Sequence, residues 1–554
     1  MPSMTLQQAM EQAGRHFQSG QLQQALHLLK QILAQQPNQP DVLHLMGIIL
    51  GQQGHLTEAI GHVHRAITIQ PAAAFYYCSL GQMLASAGRL SESVASYHKG
   101  LELQADIPDA WHEMGLVLNK LSRRDEAVAA IERAIQLRDD DSAFWGSLGH
   151  VHYSKNDHEA AIRAYERALE LRPDFAEAHN DLGAALIERG RFDEAVQHCE
   201  RAVALRPDFE FAQRNLGTAL NKTGKLAEAE SAFRKALAMK PDDALAHTNL
   251  GLTLLLQGDF EQGWIEHEWR SRAPELGLAW IQCLQPQWDG RDLEGQTILL
   301  WTEQGFGDTI QMARYAPMVA AKGGKVLLRV QAPLLRIMQS LSGVEQLSSD
   351  AKPLPHFDVH CPLLSLPKCF GTNSSNIPAD IPYLRADQSL VAQWQKRLRK
   401  ENRSKVGLVW SGFANNRNNF NRSTTLDALS ILAQAGDFCF ISLQKGPAAE
   451  QTKNPIDGLS LVDWTNELVD FADTAALIQN LDLVISVDTV VAHLAGAMGK
   501  PVWTLLSTDH DWRFPLGKEA TPWYSTMQLF RQPKIGDWNS VIQQVAEALR
   551  SFQK

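Results

Sequence analysis

Long apolar runs, clustered cysteines and any strong charge bias are all missing from this sequence. No stretch approaches the roughly 18 consecutive apolar residues that a membrane-spanning helix needs, so no integral membrane segment is expected. The opening "MPSMTLQQAMEQAGRHF" lacks the basic start and continuous apolar core of a secretory signal. Only six cysteines occur (Cys78, Cys199, Cys283, Cys361, Cys369, Cys439), none in CxxC spacing, which argues against a disulfide framework and a structural zinc site and for reduced thiols. A formal net charge of −10 leaves no global basic field to attract nucleic acid or anionic lipid. Neither a GxSxG nucleophile elbow nor a P-loop lysine motif is present, which removes support for hydrolase and nucleoside-triphosphatase readings. The expectation is a cytoplasmic chain, and its 554 residues exceed what one hydrophobic core organises, so several domains are implied.

What is present is periodic. Gly47, Gly81, Gly115, Gly149, Gly183, Gly217 and Gly251 follow one another at intervals of 34 residues. One unit reads "FAEAHNDLGAALIERGRFDEAVQHCERAVALRPD": Gly183 permits close helix approach, Gly190 ends the first helix, Ala195 and Ala202 sit at the crossing, and Pro207 closes the unit. Ala25, Ala59, Ala127, Ala161, Ala195 and Ala229 hold one packing position through the series, with Ser93 in that place in the third repeat. These helix-turn-helix units resemble the tetratricopeptide repeat. About eight run from residue 5 to about 275, the first with Ala13 where the others have Gly and the last decaying at "FEQGWIEHEWRSRAPE", as solenoid ends must when they meet water or another domain. Grooves of such solenoids commonly hold an extended peptide or another protein; a plain spacer is the alternative.

Beyond Pro274 the rhythm changes to alternating apolar strands and amphipathic helices. "TILLW", the turn "EQGFGD", the helix "TIQMARYAPMVAAKG" and the strand "KVLLRV" form a βαβ unit. A second series begins at "KVGLVWSG", passes through "DFCFISLQKG" and "LDLVISVD", and ends in the helix "DWNSVIQQVAEALRSF". The expected organisation is a solenoid over 1–275, a linker over 276–295, and two Rossmann-type halves over 296–398 and 399–554, with a ligand cleft where the carboxyl ends of both sheets converge.

Two loops concentrate the chemistry. "GFGDTI" supplies backbone freedom at Gly305 and Gly307 but has Ile310 where a dinucleotide fingerprint has its third Gly, so a nicotinamide or flavin is poorly supported. Its acid, Asp308, suits either a helix N-cap or a general base. In "SVDTVVAHLAGAMGKPVW", Asp488 and Thr489 follow an apolar strand and His493 lies one helical turn on, an arrangement suited to a diphosphate at a helix N-terminus; a capped helix with a satisfied histidine is the bland alternative.

"ISVDTVVAHLAGAMGKPVWTLL" and "GFGDTIQMARYAPMV" resemble the two signature motifs of heptosyltransferase-type glycosyltransferases, family 9, over roughly residues 296–554. That resemblance implies a GT-B fold, a nucleotide-diphosphate sugar as donor substrate, no metal or cofactor, and inversion at the anomeric carbon. It makes Asp308 the candidate base and gives Asp488, Thr489 and His493 donor contacts. The family's basic phosphate partner falls in "WSGFANNRNNFNRS", with Arg422 preferred and Arg417 second, and Gln444 and Lys445 frame the nucleoside. Val490 stands where the family usually has Gly, and the first half is short, so the last repeats are expected to help complete the acceptor pocket.

Repeats followed by a GT-B unit also resemble, in architecture, the O-linked N-acetylglucosamine transferases, whose solenoid presents protein substrates. Among lesser features, "DHD" at 509–511 has the D-x-D form of metal-dependent transferases but reads as a loop near the nucleotide. His356 and His360 fall in a strand, where i, i+4 spacing makes no zinc face, and Trp512, Trp523 and Trp538 suit packing better than base stacking. Two function classes follow: an inverting glycosyltransferase acting on a protein or peptide recruited by the repeats, and a catalytically silent scaffold that keeps the frame.

Overall fold

The computed structural model describes residues 5–413, 419–454, 456–509 and 511–552. The repeat region is an α-solenoid of paired helices, running from Leu6–Gln18 and Leu22–Gln35 to Ala244–Gln257 and Phe260–His267. The marker glycines at 47, 81, 115, 149, 217 and 251 are contact points. A Cβ placed on Gly47 would lie 2.6 Å from Val63 Cγ2, on Gly115 2.5 Å from Ile131, and on Gly149 2.7 Å from Tyr165. At these three positions the helix pair closes as it does only with hydrogen in place of a side chain; the first repeat closes over a buried Ala13. Ser93 is tolerated among the packing alanines because its buried hydroxyl donates to Gly81 O at 2.6 Å.

A second phase of the period sets the turn. Gly20, Gly54, Gly88, Gly190, Gly224 and Gly258 take φ between 72° and 87° at the ends of first helices, and Ser122 and Asn156 adopt φ of 60° at the same phase. Asn tolerates this left-handed conformation, whereas Ser gains little from it.

The chain divides into two compact units, one taking in residues to Arg189 with Gln197–Pro207, the other Gly190–Val196 and the described residues from Asp208 onward. Within the first, His44 is hydrogen-bonded to Ser79 at 2.9 Å and His112 to Ser147 at 2.8 Å, linking first helices of successive repeats. Within the second, the last repeats and an α/β region share one apolar core, in which Leu255, Phe260 and Trp264 join Ile298, Leu300, Val484 and Trp512.

That α/β region holds two sheets. The first contains β1 (Thr297–Trp301), β2 (Lys325–Val330), β3 (Gln346–Ser349) and β4 (Val359–Pro362), all parallel, in the order β3-β2-β1-β4. The second contains β5 (Ser404–Val409), β6 (Phe438–Ser442), β7 (Leu461–Asp463), β8 (Leu483–Val487), β9 (Val502–Leu506), β10 (Ala520–Thr521) and β11 (Tyr524–Arg531). Its order is β10-β11-β9-β8-β5-β6-β7, parallel except at β10. The helix expected over "TIQMARYAPMVAAKG" is two helices, Phe306–Ala313 and Ala316–Ala321, because Pro317 has no N–H to continue the ladder.

Polar anchors pin the last repeat to the first sheet. Trp264 Nε1 donates to Thr372 O at 2.8 Å, and its ring meets Trp512 edge-on at 5.1 Å. Arg270, 1% exposed, donates from Nη1 to Glu268 at 2.8 Å and from Nη2 to Glu303 at 2.9 Å and Ser365 at 2.8 Å.

Two stability measurements check this account. Ser122→Gly should stabilise the solenoid by about 0.5–1 kcal/mol in denaturant titration, since relief of the left-handed strain outweighs the extra freedom of the unfolded glycine, while Asn156→Gly should change little. Arg270→Met should cost about 3–5 kcal/mol by leaving Glu303 buried without its cation, and adding Glu303→Gln should recover part of that loss.

Candidate active site

Both chemistry-bearing loops lie at topological switch points, where successive connections leave a sheet in opposite directions. In the first sheet the switch falls between β1 and β4, and β1 runs into the loop that carries Glu303, Gly305 and Asp308. In the second it falls between β5 and β8, and β8 runs into Asp488 and Thr489.

Local geometry corrects the capping expectations. Gly305 is the N-cap of Phe306–Ala313, and Asp308 stands inside the first turn, accepting from Gly305 N at 3.0 Å. Thr489, not Asp488, is the N-cap of Val490–Ala497, and its hydroxyl pairs with Ser486 Oγ at 2.9 Å instead of capping the helix. The first-turn N–H groups of that helix therefore have no side-chain cap, which is the condition an anion needs there.

The two helices meet through Gly307 and His493. A Cβ on Gly307 would lie 2.8 Å from His493 Cδ2, so glycine is required for contact. His493 is 6% exposed, its Nδ1 is hydrogen-bonded to Tyr524 Oη at 3.1 Å, and its Nε2 lies 3.9 Å from Asp488 Oδ1. Burial, with Arg513, Arg314 and Arg422 nearby, pushes its pKa down to about 3, so the imidazole is neutral at physiological pH.

Sequence reasoning missed the group that ties these loops together. Arg513, in the loop after β9, donates from Nη2 to Asp308 Oδ1 and from Nε to Gln311 Oε1, and its Nη1 lies 2.6 Å from Asp511 Oδ2. Its guanidinium also stacks over Trp512, 4.5 Å from the ring centroid. The available signal was an arginine just past a strand end in "DHDWRF", a stretch read for its D-x-D alone. Asp509 pairs with Lys222 at 2.7 Å while Asp511 pairs with Arg513, so the two acids face different partners.

Burial raises the Asp308 carboxyl above its ordinary range, with Arg513 opposing. It pushes Asp488 up to about 6, with Asp511 and Asp308 adding to the effect and Arg422 and Arg513 opposing it. Arg422 keeps a buried Nε with no hydrogen-bond partner among the described residues, an open donor beside these acids. Arg417 lies outside the described residues.

Other predicted contacts are engaged elsewhere. Gln444 accepts from Trp410 N at 3.0 Å and Ser411 N at 2.8 Å and donates to Ser411 O and Lys445 O, so it braces the loop after β5. Lys445 Nζ donates to Thr465 O at 2.7 Å and Leu468 O at 3.0 Å. Trp512, Trp523 and Trp538 are all buried and serve packing.

Family models for the tetratricopeptide repeat match residues 16–77, 106–174, 147–208 and 214–263. The model for glycosyltransferase family 9 (heptosyltransferase) matches residues 465–536, a stretch that holds Asp488, Thr489, His493 and Arg513 but not Asp308 or Arg422. The chain thus carries tetratricopeptide repeats and a heptosyltransferase-type glycosyltransferase segment. Protein FlbA of Caulobacter vibrioides is 27% identical over 322 residues, and the match spans 54% of each chain, so about half the length of this curated relative is covered. Among solved structures, YrrB, described as a TPR protein with an unusual peptide-binding site, is 26% identical over 33% of this chain and 95% of its own, with a TM-score of 0.30. The APC/C hetero-tetramer Cut9-Hcn1 gives 19% identity over 49% and 54%, with a TM-score of 0.36. No helix among the described residues is long and apolar enough to cross a membrane.

The raised Asp488 carboxyl has a signed consequence. Its folded pKa of about 6 exceeds the ordinary value of 3.8, so the folded state binds the proton more tightly and loses stability as pH rises from about 4 through 6. Asp488→Asn removes that loss: variant and parent should be nearly equally stable below pH 4, and the variant should gain up to about 3 kcal/mol above pH 7 in denaturant melts.

Proposed function

We propose that this protein is an inverting, metal-independent glycosyltransferase, acting in the cytoplasm, that moves a sugar from a nucleotide-diphosphate donor to a protein or peptide recruited by its repeats. The observation that carries the reading is the contact of the two switch-point loops, Gly307 against His493 with Arg513 bridging to Asp308. It sets a carboxylate beside an uncapped helix N-terminus and two arginines, the groups that inverting transfer needs. The tetratricopeptide match supports a protein partner, and six unpaired cysteines suit a reducing compartment.

The donor's diphosphate rests at the first turn of Val490–Ala497, with Thr489 and Arg422 on its oxygens. Asp308 takes the proton of an acceptor hydroxyl as that oxygen forms its bond to the anomeric carbon. The bond from that carbon to the diphosphate oxygen breaks on the opposite face, and the electron pair leaves with the nucleoside diphosphate. Guanidinium groups offset the charge that develops, the role a metal fills in other transferases. Neutral His493 packs the helix against the Asp308 loop without adding charge. No cofactor is required for this displacement; the nucleotide sugar is the only small-molecule substrate.

A silent scaffold is the second reading, favoured by Val490 at the phosphate turn and by the ion pair that occupies Asp308. Asp308→Asn decides between them, because Asn preserves the acceptor for Gly305 N but cannot take a proton. Transfer from a nucleotide-sugar panel to co-purified protein acceptor should fall by about 10²–10⁴-fold with donor binding no weaker than the parent's. Parental transfer by the variant would move the base elsewhere, and no transfer by the parent with any donor would favour the scaffold.

A further inference from the structure

The Oδ1 of Asp308 accepts from Arg513 Nη2 and its Oδ2 accepts from Gly305 N, so one lone pair remains on each oxygen, and Arg513 opposes the rise in basicity that burial gives the carboxyl. A carboxylate held by a guanidinium is a weaker base and has less room for an acceptor hydroxyl.

Arg513 is built for more than one partner. Its side chain is 7% exposed and carries Asp511 on Nη1 and Gln311 on Nε as well as Asp308. Trp512 underlies the guanidinium and is itself wedged against Trp264 and Trp523, at centroid distances of 5.1 and 5.3 Å, which gives the arginine a rigid platform. The loop that Arg513 holds packs through Gly307 on His493, whose Nε2 lies 3.9 Å from Asp488 Oδ1, and the guanidinium acts electrostatically on Asp488, immediately before the uncapped helix. Its neighbourhood holds three carboxylates, Asp308, Asp488 and Asp511, with Arg422 as second cation, neutral His493, and Arg314 behind the histidine. A diphosphate carries more charge than a carboxylate and takes a guanidinium in bidentate fashion, so it competes effectively for the same fork.

Resting on the glycosyltransferase reading, we infer that Arg513 is a shared guanidinium: it holds Asp308 until the donor binds and then passes to the donor's diphosphate. The base is released only in the donor-loaded enzyme, so donor precedes acceptor, and a sugar is not exposed to attack before both sites are set. Arg513 is in this role a phosphate ligand once the donor is bound and a positioning residue for Asp308 before that.

The test is calorimetric titration of the full chain with inorganic pyrophosphate, using Asp308→Asn, Arg513→Gln and the double variant. Asp308→Asn frees the guanidinium and should tighten pyrophosphate about tenfold; Arg513→Gln should weaken it by at least about tenfold. In the Arg513→Gln background, Asp308→Asn should no longer tighten binding. Arg513→Lys, which keeps a cation for Asp308 and Asp511 but loses the fork, should restore part of the affinity and serves if the Gln variant does not fold. Equal tightening by Asp308→Asn with and without Arg513 would reduce the effect to removal of a negative charge and overturn the inference. Unchanged affinity in Asp308→Asn, with Arg422→Gln still weakening binding, would overturn it while leaving the donor site standing. No binding by any variant would overturn both.

Discussion

The buried pair of Arg270 and Glu303 is the constraint on which the candidate site depends. Arg270 belongs to the turn that ends the last repeat, and Glu303 belongs to the loop that runs from β1 to Asp308. Two buried charges seldom add net stability, because desolvation cancels most of their attraction. What they supply is register: Glu268, Glu303, Ser365 and the His267 carbonyl engage both terminal nitrogens of the guanidinium, while its buried Nε has no partner among the described residues, and these bonds fix the loop relative to the repeat. The Trp264 indole bonded to Thr372 and packed on Trp512 extends the same constraint to the loop that bears Arg513. The final repeat is therefore part of the frame of the α/β region as well as the end of a series.

Within that frame the electrostatics follow from one imbalance. Three part-buried acids, Asp308, Asp488 and Asp511, face Arg513 and Arg422, with Arg314 acting on His493, and burial outweighs the arginines at Asp308 and Asp488, whose carboxyls both titrate high. Three carboxylates oppose a diphosphate there unless one is protonated or a cation changes partner. Asp488 offers the first route and Arg513 the second. The neutral state of His493 fits the same economy, since a further cation there would be forced against Arg513 and Arg314.

The helix that begins after Thr489 shows why small residues dominate this segment. Ala492, Ala495 and Ala497 are fully buried, and a Cβ on Gly496 would meet the Tyr524 ring at 2.7 Å. Close packing on β11 brings Tyr524 to His493 and leaves the helix N-terminus at the carboxyl edge of the sheet. Val490 stands half-buried at that terminus as the first helical residue.

By itself the sequence determined the repeat, because its 34-residue period is written in residues that contact partners a fixed distance along the chain, as Gly115 does with Ile131. It likewise determined the strands and the two loops, since apolar runs and the glycines at 305 and 307 carry their meaning locally. Tertiary structure alone decided that Asp308 sits within the helix's first turn and faces Arg513, two residues 205 positions apart. It decided that the amide of Gln444 braces a loop, because the partners of a hydrogen-bonding side chain depend on which backbone groups the fold leaves open. It also decided that the acids at 509 and 511 part company, one to Lys222 and one to Arg513. Periodicity reports contacts that repeat along the chain; the pairing of isolated charges depends on long-range chain crossings that no local pattern encodes.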